Sequence, residues 1–269
     1  MSDTHHNTEP LLLREDDAGV TTLTLNRPRQ YNALSDELID ELIDELQAAL
    51  DTLAAEQETR VIVLAGSGKA FCAGHDLKQM RAQPERGYYE ALFQRCGRIM
   101  TTIMAQPQPV IARVHGIATA AGCQLVAACD LAVAADCATF AVSGINVGLF
   151  CSTPSVALAR NIGRKRALEM LLTGEVIDAA QAQTEGLVNR VVPIDRLDVE
   201  IYRLTKAIRD KSPLAIRTGK AMFYRQLEMG AADAYAYAAG VMADNMLAED
   251  AAEGIDAFMQ RRPPEWKGR

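Results

Sequence analysis

Short segments of mostly apolar residues alternate with helical patterns over most of this chain. The runs Val61–Leu64, Val110–Val114 and Leu131–Ala134 have the composition of β-strands that are buried on both faces. Apolar residues recur at helical spacing around them, notably over Tyr88–Ala105 and Ala120–Ala128. Because neighbouring parallel strands need a long crossover connection, usually a helix, this order predicts an α/β fold with right-handed βαβ units.

The N-terminal part departs from this alternation. Residues 1–10 contain neither a basic start nor an apolar stretch, so we expect a flexible tail and no secretory signal. Leu11–Arg14 and Val20–Leu25 predict a β-hairpin. Ser35 is a residue type favoured at a helix N-cap, and the apolar residues that follow up to Leu53 predict a long amphipathic helix.

The C-terminal part contains no strand-like run beyond Val199. Three helical patterns follow there: one that begins at Ser212-Pro213, one over Ala231–Leu247 and one over Glu249–Arg262. No linker rich in Pro, Gly or Ser and no repeat of fixed period divides the chain. We therefore expect a core over 11–198 and a C-terminal helical region over 199–269.

The composition excludes several classes of partner. Asp and Glu outnumber Lys and Arg by 35 to 28, and the formal net charge of −7 argues against binding to nucleic acids or anionic membrane surfaces. No apolar run approaches the roughly 18–20 residues of a membrane span. The 6 cysteines form no C-x-x-C pair and the 4 histidines complete no metal motif. We expect reduced thiols, a cytoplasmic location and no metal.

Common nucleotide-binding and hydrolase motifs are missing from the sequence. Gly66–Lys69 resembles part of a phosphate-binding loop, but Val63 stands where the first Gly is needed and Ala70 where a Ser or Thr would hold magnesium. The chain has no G-x-G-x-x-G after a strand and no G-x-S-x-G. It therefore gives no indication of dinucleotide binding or of a serine-hydrolase triad.

Two segments combine strand patterns with many small residues. Lys69–Lys78 runs from a buried strand into Ala, Gly and a possible helix start, and Val110–Gln124 has small residues concentrated between Gly116 and Gly122. Small residues let a ligand approach the main chain, and a helix beginning near Ala120 would offer N–H donors and a positive dipole to an oxyanion. Tight packing of a helix on a strand explains the same pattern, so both interpretations stay open.

Five motifs stand in a fixed order along the chain. They are N-R-P-x-x-x-N-A-L from Asn26, K-A-F-C-A-G-H-D-L-K from Lys69, P-V-I-A-x-V-x-G from Pro109, A-A-G-C-Q-L from Ala120 and E-G-I-x-A-F from Glu253. This set closely resembles the crotonase family, which contains the enoyl-CoA hydratases and isomerases. The resemblance extends over about Leu11 to Trp266. The strings at 118–125 and 146–154 indicate one branch of that family.

The resemblance implies a spiral of ββα units with a C-terminal helical region that forms a homotrimer, often paired into a hexamer. It also implies an acyl-CoA substrate whose thioester carbonyl sits in an oxyanion hole, so that CoA is part of the substrate and no separate cofactor is needed. The two N–H donors fall on His75 and Ala121. The CoA-binding loop falls on His75, Asp76, Leu77 and Lys78, with Ala121 beside the thioester.

The chain departs from the family where the hydratases carry two glutamates. These positions fall on Gln124 and Gly144. Hydratases need carboxylates there to activate water and exchange its proton with the substrate, whereas Gln accepts no proton near neutral pH and Gly has no side chain. Cys151 is a further candidate, because a helix predicted near Thr153 could lower the thiol pKa; a buried apolar role is the alternative.

These residues predict a protein that processes acyl-CoA thioesters through a stabilised enolate, with little hydration activity. One alternative is a noncatalytic protein that binds acyl-CoA and has a regulatory role. Another is a different enolate reaction, such as decarboxylation of a malonyl-type thioester, which needs enolate stabilisation but no activated water.

Overall fold

The computed structural model describes residues 10–34, 48–49, 52–56 and 58–269. The expected N-terminal tail lies outside these residues except for Pro10, and so does the first part of the predicted amphipathic helix, 35–47. Residues 48–49 and 52–55 are helical.

The described strands form two β-sheets. The larger sheet contains, in spatial order, β1 (Leu12–Asp17), β2 (Val20–Leu25), β3 (Val61–Gly66), β5 (Val110–Val114), β7 (Leu131–Ala135) and β10 (Arg190–Val192). The smaller sheet contains β4 (Ala70–Cys72), β6 (Ile117–Thr119), β8 (Thr139–Ala141) and β9 (Ile177–Asp178). β1 and β2 are the predicted antiparallel hairpin, and β9 runs antiparallel to β8. All other neighbours are parallel.

Helices follow the strands in a regular order. They are α1 (Leu77–Ala82), α2 (Arg86–Ala105), α3 (Ala121–Ala128), α4 (Ser152–Asn161), α5 (Arg164–Thr173), α6 (Ala179–Thr184), α7 (Leu197–Arg209), α8 (Pro213–Gln226), α9 (Ala231–Met246) and α10 (Glu249–Gln260). The pairs β3 and β4, β5 and β6, and β7 and β8 each give one strand to each sheet before the chain enters a helix. This confirms the expected spiral of ββα units. The βαβ units predicted from apolar patterns lack the second strand of each turn. β6 and β8 have three residues each, which is too few for an alternating pattern to be recognised in the sequence.

Side chains of the larger sheet alternate between two apolar layers. Ile62 and Leu64 of β3 belong to the same apolar cluster as the buried face of α2. Val61 and Val63, which point to the opposite face, cluster with Leu197 of α7. Because both faces are covered in the middle of the sheet, β3 and β7 are apolar throughout, and β5 is apolar except for Arg113.

The C-terminal helices begin close to the predicted positions. Ser212 accepts a backbone hydrogen bond at the start of α8. A buried ion pair joins α8 to the core, with Lys220 Nζ 2.6 Å from Asp130 Oδ2, and the Tyr224 hydroxyl donates to Asp130 Oδ1 at 2.8 Å. Position 198, the predicted end of the core, lies within α7. The division into a core and a helical region stays a prediction.

Candidate active site

Strands β4 and β6 bring the two small-residue segments together. The strands are parallel neighbours, so their carboxyl ends meet at the same edge of the smaller sheet. Just beyond that edge, Thr119 Oγ1 donates a hydrogen bond to the Ala73 carbonyl at 3.0 Å. The segments that contain His75 and Ala121 therefore lie side by side.

The residue before each of these two positions has a positive φ. Gly74 has φ +87°, and a Cβ at this position would lie 2.8 Å from Ala120 Cβ and 3.2 Å from Ala121 N. Only glycine fits this approach without displacing its neighbours. Ala120 has φ +49°, an uncommon conformation for a residue with a side chain, and its N–H donates to the Ala141 carbonyl at 2.9 Å. Such backbone strain is concentrated at functional sites.

Ala121 is the first residue of α3, a helix whose eight residues are all buried. An N–H group at this position has no acceptor within its own helix, and the helix dipole places partial positive charge there. The His75 ring lies edge-on to Phe93, with ring centroids 5.6 Å apart. The structure thus places one predicted donor at a helix N-terminus and holds the other residue beside an aromatic ring.

A cavity of about 390 Å³ lies where these segments meet. Its described lining is mostly apolar and consists of Ala73, His75, Leu77, Met80, Phe93, Ala120, Ala121, Ser143, Gly144, Val147, Leu149, Phe150, Cys151, Ser152, Thr153 and Pro154. None of these lining residues is Asp or Glu. A concave apolar pocket with few polar groups is the usual form of a small-molecule site.

Only part of the predicted CoA-binding loop lines the cavity, and another part caps a helix. His75 and Leu77 line the cavity, and Leu77 is 51% exposed. Asp76 is the N-cap of α1, where its carboxylate accepts from the N–H groups of Lys78 at 2.9 Å and Gln79 at 3.3 Å. Asp76 and Lys78 are not among the described lining residues, so their contact with CoA stays a prediction.

Gln124 and Gly144, the two positions where the resemblance predicts the missing glutamates, differ in their surroundings. Gln124 is 3% exposed, and its Oε1 has no hydrogen-bond partner among the described residues. Gly144 lines the cavity within the 3₁₀ segment Ser143–Val147. A Cβ on Gly144 would stand 2.7 Å from the Leu149 carbonyl oxygen and 2.8 Å from Cys151 Sγ. Position 144 therefore lacks room even for an alanine in this conformation.

Cys151 is held at the same wall of the cavity. It is the N-cap of α4, which begins at Ser152, one residue before the predicted start near Thr153. The Gly144 N–H donates to Cys151 Sγ at 3.3 Å. Burial nevertheless raises the pKa of the thiol, and the hydrogen bond from Gly144 offsets only part of that rise. The expectation that the helix lowers this pKa is wrong, because desolvation outweighs the helix terminus.

Comparison with known proteins shows which family the chain belongs to. The family model described as enoyl-CoA hydratase/isomerase matches residues 15–269. The chain belongs to the enoyl-CoA hydratase/isomerase family. Its relatives include enoyl-CoA hydratase domain-containing protein 3, mitochondrial, from Rattus norvegicus, which is 44% identical over 248 residues, 92% of this chain and 81% of the relative.

Solved structures of the family have the same fold. The crystal structure of enoyl-CoA hydratase from Mycobacterium smegmatis is 59% identical, with a TM-score of 0.92 and coverage of 96% of this chain and 99% of that one. The crystal structure of human enoyl-CoA hydratase domain-containing protein 3 is 42% identical, with a TM-score of 0.90 and coverage of 96% and 100%. The crotonase resemblance and the expected fold are both confirmed.

Some features of this family member have no clear signal in its sequence. The positive φ of Ala120 is one, because alanine is not a residue type that predicts this conformation. Phe93 is another, since its helical spacing on α2 does not distinguish it from core residues. Gly74 could have been found, as a lone glycine between a strand and a helix.

None of the helices in the described part of the chain is long and apolar enough to span a bilayer.

Proposed function

We propose that the chain binds acyl-CoA thioesters in this cavity and stabilises a thioester enolate between the backbone N–H groups of His75 and Ala121. The observation that carries the proposal is that both residues line one cavity and that each follows a residue with positive φ. Preorganised donors in a water-poor site favour a developing oxyanion, and loss of one such donor typically costs about 2.7–4 kcal/mol. The similarity to the Mycobacterium smegmatis enoyl-CoA hydratase supports this substrate class.

The same cavity disfavours hydration. Adding water to an enoyl thioester needs a group that deprotonates the water, and no Asp or Glu is among its described lining residues. Gln124 and Gly144 supply no carboxylate. General acid–base groups each contribute about 10²–10⁴-fold, so crotonyl-CoA hydration should fall short of an ordinary enzyme rate by at least one such factor.

Decarboxylation of a malonyl-type thioester is the second candidate. Loss of CO₂ generates the enolate directly, so the reaction needs the two N–H donors and no general base. The lack of a described lining carboxylate favours it, because a negative charge beside the leaving carboxylate would oppose binding.

Ala121→Pro tests the proposal. Proline removes the N–H at the first position of a helix. Because Ala121 is 1% exposed and follows a residue with φ +49°, urea unfolding like that of the parent is required before the binding of this variant is interpreted. Ala231→Pro is the matched control, since Ala231 is also the first residue of a helix and does not line the cavity. We expect Ala121→Pro to abolish calorimetric binding of acyl-CoAs, while Ala231→Pro binds like the parent.

A panel of thioesters then separates the candidates. Turnover of a malonyl-type thioester without hydration of crotonyl-CoA supports decarboxylation, and binding without turnover supports a noncatalytic role. If both proline variants bind acyl-CoAs as tightly as the parent, the Ala121 N–H has no role in binding. Hydration of crotonyl-CoA at about 10 s⁻¹ or faster would show that another group replaces the missing glutamates.

We also propose a homotrimer, or a hexamer made of two trimers. Large apolar side chains on the C-terminal helices are exposed in the single chain, notably Tyr235, Leu247 and Phe258. Contiguous exposed apolar surface usually marks an interface. Light scattering after gel filtration should give three or six times 29.2 kDa. A monomer mass at all concentrations would refute this.

A cytoplasmic location also stays a proposal, while the rat relative is mitochondrial by name.

A further inference from the structure

The motif that begins at Asn26 forms a turn directly after β2. Tyr31 and Asn32 within this turn both have a left-handed backbone, with φ +54° and +53°. Asparagine is one of the few residue types with a side chain that adopts this conformation readily. Asn32 is fully buried, and none of residues 26–34 is among the described lining residues of the cavity. Any part that the turn plays at the site is therefore indirect.

The Asn32 side chain joins this turn to β4 and to the loop before it. Its Oδ1 accepts from the Arg27 N–H at 2.8 Å, across the turn. Its Nδ2 donates to the carbonyls of Ser67 at 2.9 Å, Ala70 at 2.8 Å and Phe71 at 3.2 Å. One side-chain amide is thus bonded to four backbone groups, and it fixes β4 against the turn.

The last residue of the turn pairs with the segment that contains His75. The Leu34 N–H donates to the Gly74 carbonyl at 2.7 Å, and the Leu34 carbonyl accepts from the Asp76 N–H at 3.0 Å. These two bonds make a parallel β-bridge between Leu34 and His75. In such a pair the neighbours of the bridged residue supply the hydrogen bonds, so its own N–H and C=O point to the opposite side. The His75 N–H therefore points away from the turn.

The N-terminal end of α3 lies on that opposite side. A Cβ on Gly74 would stand 3.2 Å from Ala121 N. On the side of the turn, the Tyr31 carbonyl accepts from the Ala73 N–H at 3.0 Å. The segment is thus held between the turn and α3, and the β-bridge directs the His75 N–H toward the side on which Ala121 lies.

We propose that Asn32 is a positioning residue for the backbone N–H of His75, an inference that rests on the enolate-stabilising role proposed above. Its side chain fixes the turn against β4, and the backbone of the same turn fixes the His75 segment. Because residues 31–34 make both sets of contacts, a shift of the turn moves the donor. A displacement of about 1 Å at a reacting group can cost about 10²-fold in rate. Without the Asn32 amide, a thioester still binds but its carbonyl is less polarised.

The absorption spectrum of a bound chromophoric thioester tests the proposal. The probe is 4-(dimethylamino)cinnamoyl-CoA, whose absorption moves to longer wavelength when its carbonyl oxygen accepts stronger hydrogen bonds. Asn32→Gly allows the left-handed backbone without strain and removes all four side-chain hydrogen bonds. We expect this variant to bind the probe and to show, at saturation, about half of the parent's shift, because one of two donors is displaced.

Two further variants separate the donor bonds of Asn32 from a general loss of stability. Asn32→Asp keeps the side-chain shape and the acceptor for the Arg27 N–H, but an ionised carboxylate has no donor for the three carbonyls, so the shift should fall as in Asn32→Gly. Gln108 is likewise a buried amide that donates to backbone carbonyls of a distant segment, and it is not a described lining residue. Gln108→Leu should lower the free energy of unfolding and keep the whole shift.

Urea unfolding shows first which variants are folded. The proposal is overturned by a full shift in a folded Asn32 variant, by an equally reduced shift in Gln108→Leu, or by loss of folding in both Asn32 variants. Each of these results would give Asn32 a structural role only and leave the proposed function standing. If the parent does not bind the probe, or binds it without a shift, the proposed function fails as well.

Discussion

Gln124→Glu places a carboxyl group at one of the two positions where the family resemblance predicts a glutamate in the hydratases. Glutamate has nearly the same shape as glutamine, so packing is preserved and the main change is electrostatic. Gln124 is 3% exposed, and its side-chain oxygen has no described partner that could stabilise a charge. Burial of this extent raises a carboxyl pKa by about 3 units or more above its usual value of about 4.3.

The energetic consequence follows from that rise. Each unit corresponds to about 1.4 kcal/mol, so the ionised carboxylate costs the folded state about 4 kcal/mol at neutral pH. The N-terminal end of α3 returns about 0.3–1 kcal/mol through its dipole, which leaves about 3 kcal/mol. The pKa of the new carboxyl group lies higher in the folded state than in the unfolded state. The loss of folding stability is therefore absent below about pH 4 and grows as the pH rises toward the folded-state pKa.

Urea unfolding of parent and variant at about pH 4 and about pH 7.5 measures this dependence. Gln124→Met is the matched control: it removes the amide without adding a titratable group, so its difference from the parent should be the same at both pH values. A Gln124→Glu difference that is equally independent of pH would refute the reasoning. The carboxylate would then be solvated or paired, and position 124 would not be the water-poor site inferred from its burial.

Two further variants test the surroundings of the cavity and the link to the C-terminal helices. Gly144→Ala should lower the free energy of unfolding by about 1–3 kcal/mol, because the added Cβ stands 2.7 Å from the Leu149 carbonyl oxygen; unchanged urea unfolding would contradict this. Lys220→Met should lower it by about 3–5 kcal/mol by leaving Asp130 buried without its cation, and Asp130→Asn in the same chain should restore part of the loss. No recovery in the double variant would contradict the ion-pair explanation.

The fold was predictable where the sequence contains long or distinctive patterns. The apolar runs at β3, β5 and β7 predict buried strands because both faces of the larger sheet are covered, by one apolar cluster around α2 and another around α7. The second strand of each turn contributes only three residues at β4, β6 and β8, which is too few to establish a period. Their pairing into a separate sheet depends on contacts that only the folded chain makes, so it had to come from the family resemblance.

Some residues of the candidate site lie where the sequence places them, but their surroundings had no signal in the sequence. His75, Ala121 and Gly144 line one cavity, whereas Gln124 is not among its described lining residues, and the roles of all four stay predictions. The buried pair of Asp130 and Lys220 joins residues 90 positions apart, and no local pattern in the sequence connects them. Of the two alternatives for Cys151, the structure supports the buried role, because desolvation raises the pKa of the thiol; a helix start is visible in a sequence, whereas this desolvation is not.

The lack of space for a side chain at position 144 is a property of the whole segment from 143 to 151, and not of one residue. The Gly144 carbonyl accepts from the Leu149 N–H at 2.9 Å, and the Gly144 N–H donates to Cys151 Sγ, so both polar backbone groups of Gly144 are bonded within the segment. Any side chain at 144 must displace the Leu149 carbonyl or the Cys151 sulfur. Since a backbone carbonyl moves only with its segment, Gly144→Glu alone cannot place a carboxylate in the cavity without moving residues 149–151. Hydration through a carboxylate at position 144 would therefore need a different course of this segment first, and the carboxylate afterwards.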